Sequence, residues 1–120
     1  MKKEIIQYVR NDEYENNNMV EGCMVSRLSD DDPSKVLVGY AFTNPKDTYD
    51  KFRGIELVEK RMIWLDNANH CLHRVHPRFR VKLYNFLYRC QKYFRDKQFP
   101  NWVNDYMNDP KIKEEYTDFI

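Results

Sequence analysis

Four residues of metal-ligating type fall within one seven-residue window, His70, Cys71, His73 and His76. A closed zinc site takes four ligands, and its usual layout places two of them on a distant pair. Only Cys23 and Cys90 are left to complete such a set, and neither sits in a ligand motif. The window therefore reads as an ordinary polar loop, with no metal and no cofactor expected. The three cysteines are an odd number without CxxC spacing, which suits free, buried thiols in a reducing compartment. Familiar catalytic arrangements are missing. The chain has no glycine-rich phosphate loop, nucleophile elbow, HExxH or paired-carboxylate signature, so it reads as a non-enzyme.

Charge offers a second kind of chemistry. From Arg74 to Lys97 the chain carries eight basic residues (Arg74, Arg78, Arg80, Lys82, Arg89, Lys92, Arg95, Lys97) against one acid, Asp96. The tail opposes it with Asp105, Asp109, Glu114, Glu115 and Asp118 against Lys111 and Lys113. On a helix through this segment, Tyr84, Tyr88, Gln91 and Arg95 form one outward stripe. Aromatic and arginine side chains at that spacing suit an interface with an acidic protein or a nucleic acid. A solvated face neutralised by the tail is the plainer alternative. A third feature is Arg61, which falls among Gly54, Val58 and Leu65 on the side of a helix that otherwise reads as buried. A guanidinium there has to be paired with a nearby carboxylate such as Asp47 or Asp50, or has to open onto a ligand beside Asn44.

The elements that must position these groups are legible from pattern. Strands are expected over residues 3–9, 19–28 and 35–43, with a turn from Ser29 to Ser34 that holds three aspartates and Pro33. Asn44-Pro45 breaks the third strand. A helix then runs from an Asp47 cap to about Asp66, with Ile55, Val58, Met62 and Leu65 at three- and four-residue spacing. Gly54 lies on the same side, where a missing side chain lets another backbone approach. A second long helix covers 78–96, lined by Phe79, Leu83, Phe86, Leu87, Cys90 and Phe94. Two short helices follow, one capped by Asn101 and one started by Asp109-Pro110.

The expected fold is therefore α+β in one domain of 120 residues: a small N-terminal antiparallel sheet, two longer helices and short C-terminal helices. Net charge is +1, so any electrostatic partner has to recognise a patch rather than the total. No apolar run approaches the ~20 residues of a membrane span, and the Met-Lys-Lys-Glu-Ile-Ile start lacks a signal-peptide core.

Residues 39–62 carry a resemblance. Ala41, Pro45, Asp47, Tyr49, Asp50, Gly54, Leu57 and Arg61 are similar to a pattern in small phage and prophage proteins, in which a strand ends in Ala before Pro-x-Asp-x-aromatic-Asp and a helix with Gly, Leu and Arg. Thr43 stands where that pattern often has Cys, and Val58 where it has Ala. The order of sheet then helices also resembles the Thoeris anti-defence one family, phage proteins that sequester cyclic ADP-ribose signals. The resemblance implies a phage-encoded, non-enzymatic binding protein that counters host defence from the host cytoplasm, and it allows a homo-oligomer. Asn44 and Arg61 match the asparagine and arginine of that family's ligand pockets. Lys46 and Arg53, on either side of the turn into the helix, complete the candidate ligand set. A second pocket arginine has no equivalent, because Leu65 occupies its place. The alternative is an inhibitor that docks on a host nuclease or polymerase, or a nucleic-acid-binding module, acting through the Tyr84, Tyr88, Gln91 and Arg95 face.

Overall fold

The computed structural model describes residues 4–10, 20–42, 51–67 and 77–110. Three strands, β1 (Glu4–Arg10), β2 (Val20–Leu28) and β3 (Val36–Phe42), form an antiparallel sheet in the order β1-β2-β3. They are followed by α1 (Lys51–Asn67), α2 (Pro77–Tyr93) and α3 (Asn101–Asn108). This is the expected α+β arrangement, with a short C-terminal helix. Among the described residues, no helix is long and apolar enough to cross a membrane.

Strand periodicity sorts the side chains onto two faces, and the register shows how. Ile5, Val9, Met24, Val36, Val38 and Tyr40 point to one face, where Leu83, Phe86, Leu87 and Cys90 of α2 and Trp102, Val103 and Tyr106 of α3 close the main core. Cys23, Val25 and Ala41 point to the other, against Val58 and Met62 of α1. Most buried sheet residues thus have a helix over them, and both β2 and β3 read as near-continuous apolar runs for that reason. The hairpin packs on α1 as its pattern predicts, with Val58 and Met62 wholly buried. Each such side chain contributes about 1.5–3 kcal/mol by leaving water. The six residues expected to line α2 are all buried.

A close approach between α1 and the sheet occurs at Gly39. A Cβ there would meet Met62 Cγ at 2.7 Å and the Val58 carbonyl oxygen at 2.8 Å. Gly54, singled out for this role from its place on the helix, is buried on the inward side of α1. The outer edge of β3 is dressed in three ways. Val36 N–H donates to Gln98 O and Gln98 N–H to Ser34 O, both at 2.8 Å, and Arg61 reaches Tyr40 O further along. Such cover keeps an edge strand from pairing with other chains.

Helix boundaries depart from expectation at two points. α2 ends at Tyr93 rather than near 96, and a turn follows in which Lys97 N–H donates to Phe94 O. Asn101 does not cap α3. Pro100 holds the cap position without a side-chain bond, and Asn101 is the first helical residue. The Pro100 carbonyl takes the Val103 N–H, so the helix starts on a backbone contact instead. Asp109 closes α3, with its N–H on Tyr106 O at 3.3 Å, and Pro110 directly after it is helical again, as the Asp109-Pro110 pair predicts. The first turn proposed for α1 (residues 47–50) and the chain beyond Pro110 lie outside the described residues.

Candidate functional site

α2 is a helix without a carboxylate. Its sequence, PRFRVKLYNFLYRCQKY, holds five basic residues and no acid. Its apolar stripe is taken up by the core, so its charge is driven to the outer face. Arg89, Lys92 and, just past the helix, Arg95 are exposed. Among the described residues none of the three pairs with a carboxylate. Two tyrosines stand among them, Tyr88 at 48% and Tyr93 at 56% exposure, the most open aromatics described. The Lys92 ammonium sits 4.5 Å from the Tyr88 ring centroid, a cation–π contact that orders both side chains at modest energy. Tyr93 rests edge-on against Phe94, with centroids 4.8 Å apart.

The predicted stripe is therefore divided. Tyr88 and Arg95 are open, whereas Tyr84 and Gln91 are half-buried and Tyr84 packs against the main core. The open surface continues round the helix instead, from Tyr88 over Lys92 to Arg89 and Tyr93. Arg89 and Lys92 were within reach of a charge count. Tyr93 was not, because an aromatic at the border of an apolar stripe reads as core until its neighbours are known. Tyr106 Oη donates to Arg80 O at 2.8 Å and ties α3 against the start of α2, which holds the helix in place beneath its exposed face.

The second candidate site is distributed over α1 and the chain before it. Arg61 is half-buried, and its Nη1 donates to the Tyr40 carbonyl at 3.2 Å. It thus bonds to backbone at the end of β3. Asp47 and Asp50, weighed as its partners, lie outside the described residues, as do Asn44 and Lys46. Arg53 is exposed near the start of α1, about 12 Å along the helix from Arg61. The described residues do not bring these two arginines together. A cation not singled out from sequence does more for the fold. Arg27, on the α1 side of β2, pairs with Glu59 at 3.3 Å and Glu4 at 3.8 Å, joining α1 to two strands.

The His70, Cys71, His73 and His76 window lies outside the described residues, within which no group of three metal-ligating side chains occurs. Cys23 and Cys90, the thiols considered as distant ligands, are both free and buried but lie on opposite faces of the sheet. One metal therefore cannot take both. Burial pushes the Cys90 thiol up from 9.0 to about 11. Ser26 Oγ beside it makes no hydrogen bond of good geometry, and its weak contact with the thiol and the charge of Arg89 oppose that rise without reversing it. In the β2–β3 turn, the Asp32 carboxylate accepts from Ser34 Oγ at 2.6 Å and from Ser34 N–H at 3.0 Å, which holds it below the usual carboxylate range. This is turn chemistry rather than a site.

Compared with protein-family models, curated proteins and solved structures, the chain matches none of them.

Proposed function

We propose that this chain is a non-enzymatic binding protein and that the outer face of α2 is its docking surface for an acidic patch on a protein partner. One observation carries this reading: on a helix without a single acid, Tyr88, Arg89, Lys92 and Tyr93 stand exposed together, with Arg95 just beyond. Tyrosine and arginine dominate the energetics of protein interfaces because they bury a large rigid area while keeping a polar end satisfied. The cations add steering toward an acidic surface. The similarity of residues 39–62 to small phage proteins supports a host enzyme such as a nuclease or polymerase as the partner, met in the host cytoplasm, and a role in countering host defence. The test is the double variant Arg89→Glu/Arg95→Glu, expressed in cells that carry an active defence system. It is expected to melt like wild type and to lose the counter-defence effect. Retention of that effect by the folded variant overturns the assignment.

A second reading keeps the nucleotide-sequestering role that the resemblance implies. Arg61 supports it: the Tyr40 carbonyl takes one bond from a guanidinium with five donors, a few residues ahead of Asn44. Asn44, Lys46 and Arg53 would complete that site. Native mass spectrometry of the protein from defence-active cells reports the subunit count and any retained nucleotide together. Protein recovered without a nucleotide counts against this reading.

A further inference from the structure

The two edges of the sheet differ. Gln98 and Arg61 cover the outer edge of β3, whereas β1, the other edge strand, pairs among the described residues with β2 alone. Natural edge strands are commonly blunted by proline, by lysine or by a bulge. β1, EIIQYVR, has neither proline nor lysine. The irregularity near its end belongs to β2: Val9↔Gly22 is followed by Arg10↔Val20, which leaves Glu21 of β2 over, and β1 itself continues without an extra residue. Ile6 is 44% exposed on the α1 side of this strand, beside Tyr8, which packs partly on the α1-side cluster.

The sequence of β1 complements its own reverse. Gln7 is its centre, with Glu4 at one end and Arg10 at the other. Two copies paired antiparallel about Gln7 set Glu4 opposite the second copy's Arg10, Ile5 opposite Val9, Ile6 opposite Tyr8 and Gln7 opposite itself. Side chains alternate between faces, so Ile5 and Val9, both buried on the main core, extend that core across the join, and Ile6 and Tyr8 do the same on the α1 side. Two carboxamides can bond each other at the centre. A slip by one residue turns every side chain to the wrong face, and a slip by two sets Glu4 opposite Tyr8 or Arg10 opposite Ile6. The α2 side has room for what enters: a cavity of about 290 Å³ lies between Gln7 and Val9 of β1 and Lys82 and Asn85 of α2. In this register the second copy's Gln7 and Ile5 arrive beside it. Lys82 Nζ donates to the Arg10 carbonyl at 3.0 Å, so the backbone ladder stops short of Arg10 and the Glu4–Arg10 contact is one of side chains. An exposed pair of that kind contributes little affinity and serves to fix register. We infer that β1 pairs with β1 of a second copy of this chain, antiparallel about Gln7, and joins the two sheets into one. This inference does not rest on the docking face of α2.

The strand offers 7 residues a side, against the ~20–30 of a standard interface, so the dimer is expected to dissociate on dilution. Sedimentation of the full chain from ~1 µM to ~1 mM, the span of weak association, is expected to show monomer passing into dimer. Ile6→Lys is expected to melt like wild type, because Ile6 is half in water already, and to weaken dimerisation by ~tenfold or more. Gln7→Cys, in a Cys71→Ser background, tests the register and stands even if Ile6→Lys fails to fold. Directly opposed residues of an antiparallel pair lie ~4.5–5.5 Å apart between Cα atoms, which suits a disulfide, so mild oxidation is expected to give a cross-linked dimer. Cys23 and Cys90 are buried and do not compete. Arg10→Cys is the control: its two copies would stand ~20 Å apart along the strands and are expected not to cross-link. The inference is overturned if the full chain stays monomeric at ~1 mM, if folded Ile6→Lys dimerises as wild type does, or if Gln7→Cys cross-links no better than Arg10→Cys.

Discussion

Replacing Arg61 by alanine separates two uses of one guanidinium. Arg61 is half-buried and, among the described residues, makes one bond, of 3.2 Å, from Nη1 to the Tyr40 carbonyl at the outer edge of β3. A hydrogen bond with one charged partner contributes about 1.5–3 kcal/mol. Partial exposure lowers that figure, because water screens the charge and can rehydrate the carbonyl once the arginine is gone. The expected loss is therefore ~1–2 kcal/mol, which for a chain of this length is a fall of ~4–8 °C in melting temperature. Urea unfolding measures the loss directly, and the unfolding slope should stay that of wild type, since the surface exposed on unfolding is nearly unchanged. A loss beyond ~4 kcal/mol would refute the reasoning from above, since it signals a buried carboxylate left without its partner. A loss below ~0.3 kcal/mol would refute it from below. A nucleotide titration on the same variant supplies the functional half. If Arg61 holds a ligand, binding disappears from a protein that is still folded.

Gly39→Ala places a methyl group 2.8 Å from the Val58 carbonyl oxygen, which is backbone and cannot rotate away, so α1 must lift; the expected cost is ~1–3 kcal/mol by urea unfolding. Val58→Asp at the same contact buries a charge with no partner and should cost several kcal/mol, and a variant that melts like wild type would mean that α1 does not pack there. The Cys90 pKa makes stability fall in alkali: the folded thiol, held near 11 against an ordinary 9.0, contributes below about pH 9 and loses its contribution as pH rises through about 11, by no more than ~2–3 kcal/mol. For the same reason, iodoacetamide should modify Cys90 only in denaturant. Purified protein should contain no stoichiometric zinc, and a chelator should leave its melting temperature unchanged; zinc bound one to one would place a site at His70, Cys71, His73 and His76.

The strands, the long helices and the buried stripe of α2 were legible because each rests on a short-range period. Apolar residues at two-residue spacing make a strand bury one face, and at three- or four-residue spacing they make a helix do so. Cap positions were less legible. Asn101 is a good cap residue by type, but a cap depends on which backbone the chain brings to the helix end. Here Pro100 and its carbonyl took that place. The basic character of α2 was also present in the sequence, since a helix with no acid has to show its charge wherever its apolar stripe is buried.

Position on that helix was only half determined. Tyr84, Tyr88, Gln91 and Arg95 share a stripe by periodicity, yet the main core takes in part of Tyr84 and leaves Tyr93 in water. Which flank of a helix is covered depends on the width of the sheet beneath it, and no local pattern encodes that. The same holds for Gly39, whose role comes from α1 lying directly above it, and for Arg61, whose partner is a carbonyl 21 residues away. The cavity between β1 and α2 is the clearest case, since Gln7 and Lys82 meet there only because the sheet places its first strand against its fifth element. The elements, their apolar faces and the sign of their charge follow from contacts within a few residues, so they can be read along the chain. Which groups meet across the sheet and which stay in water depends on segments tens of residues apart, so it is set only as the fold closes.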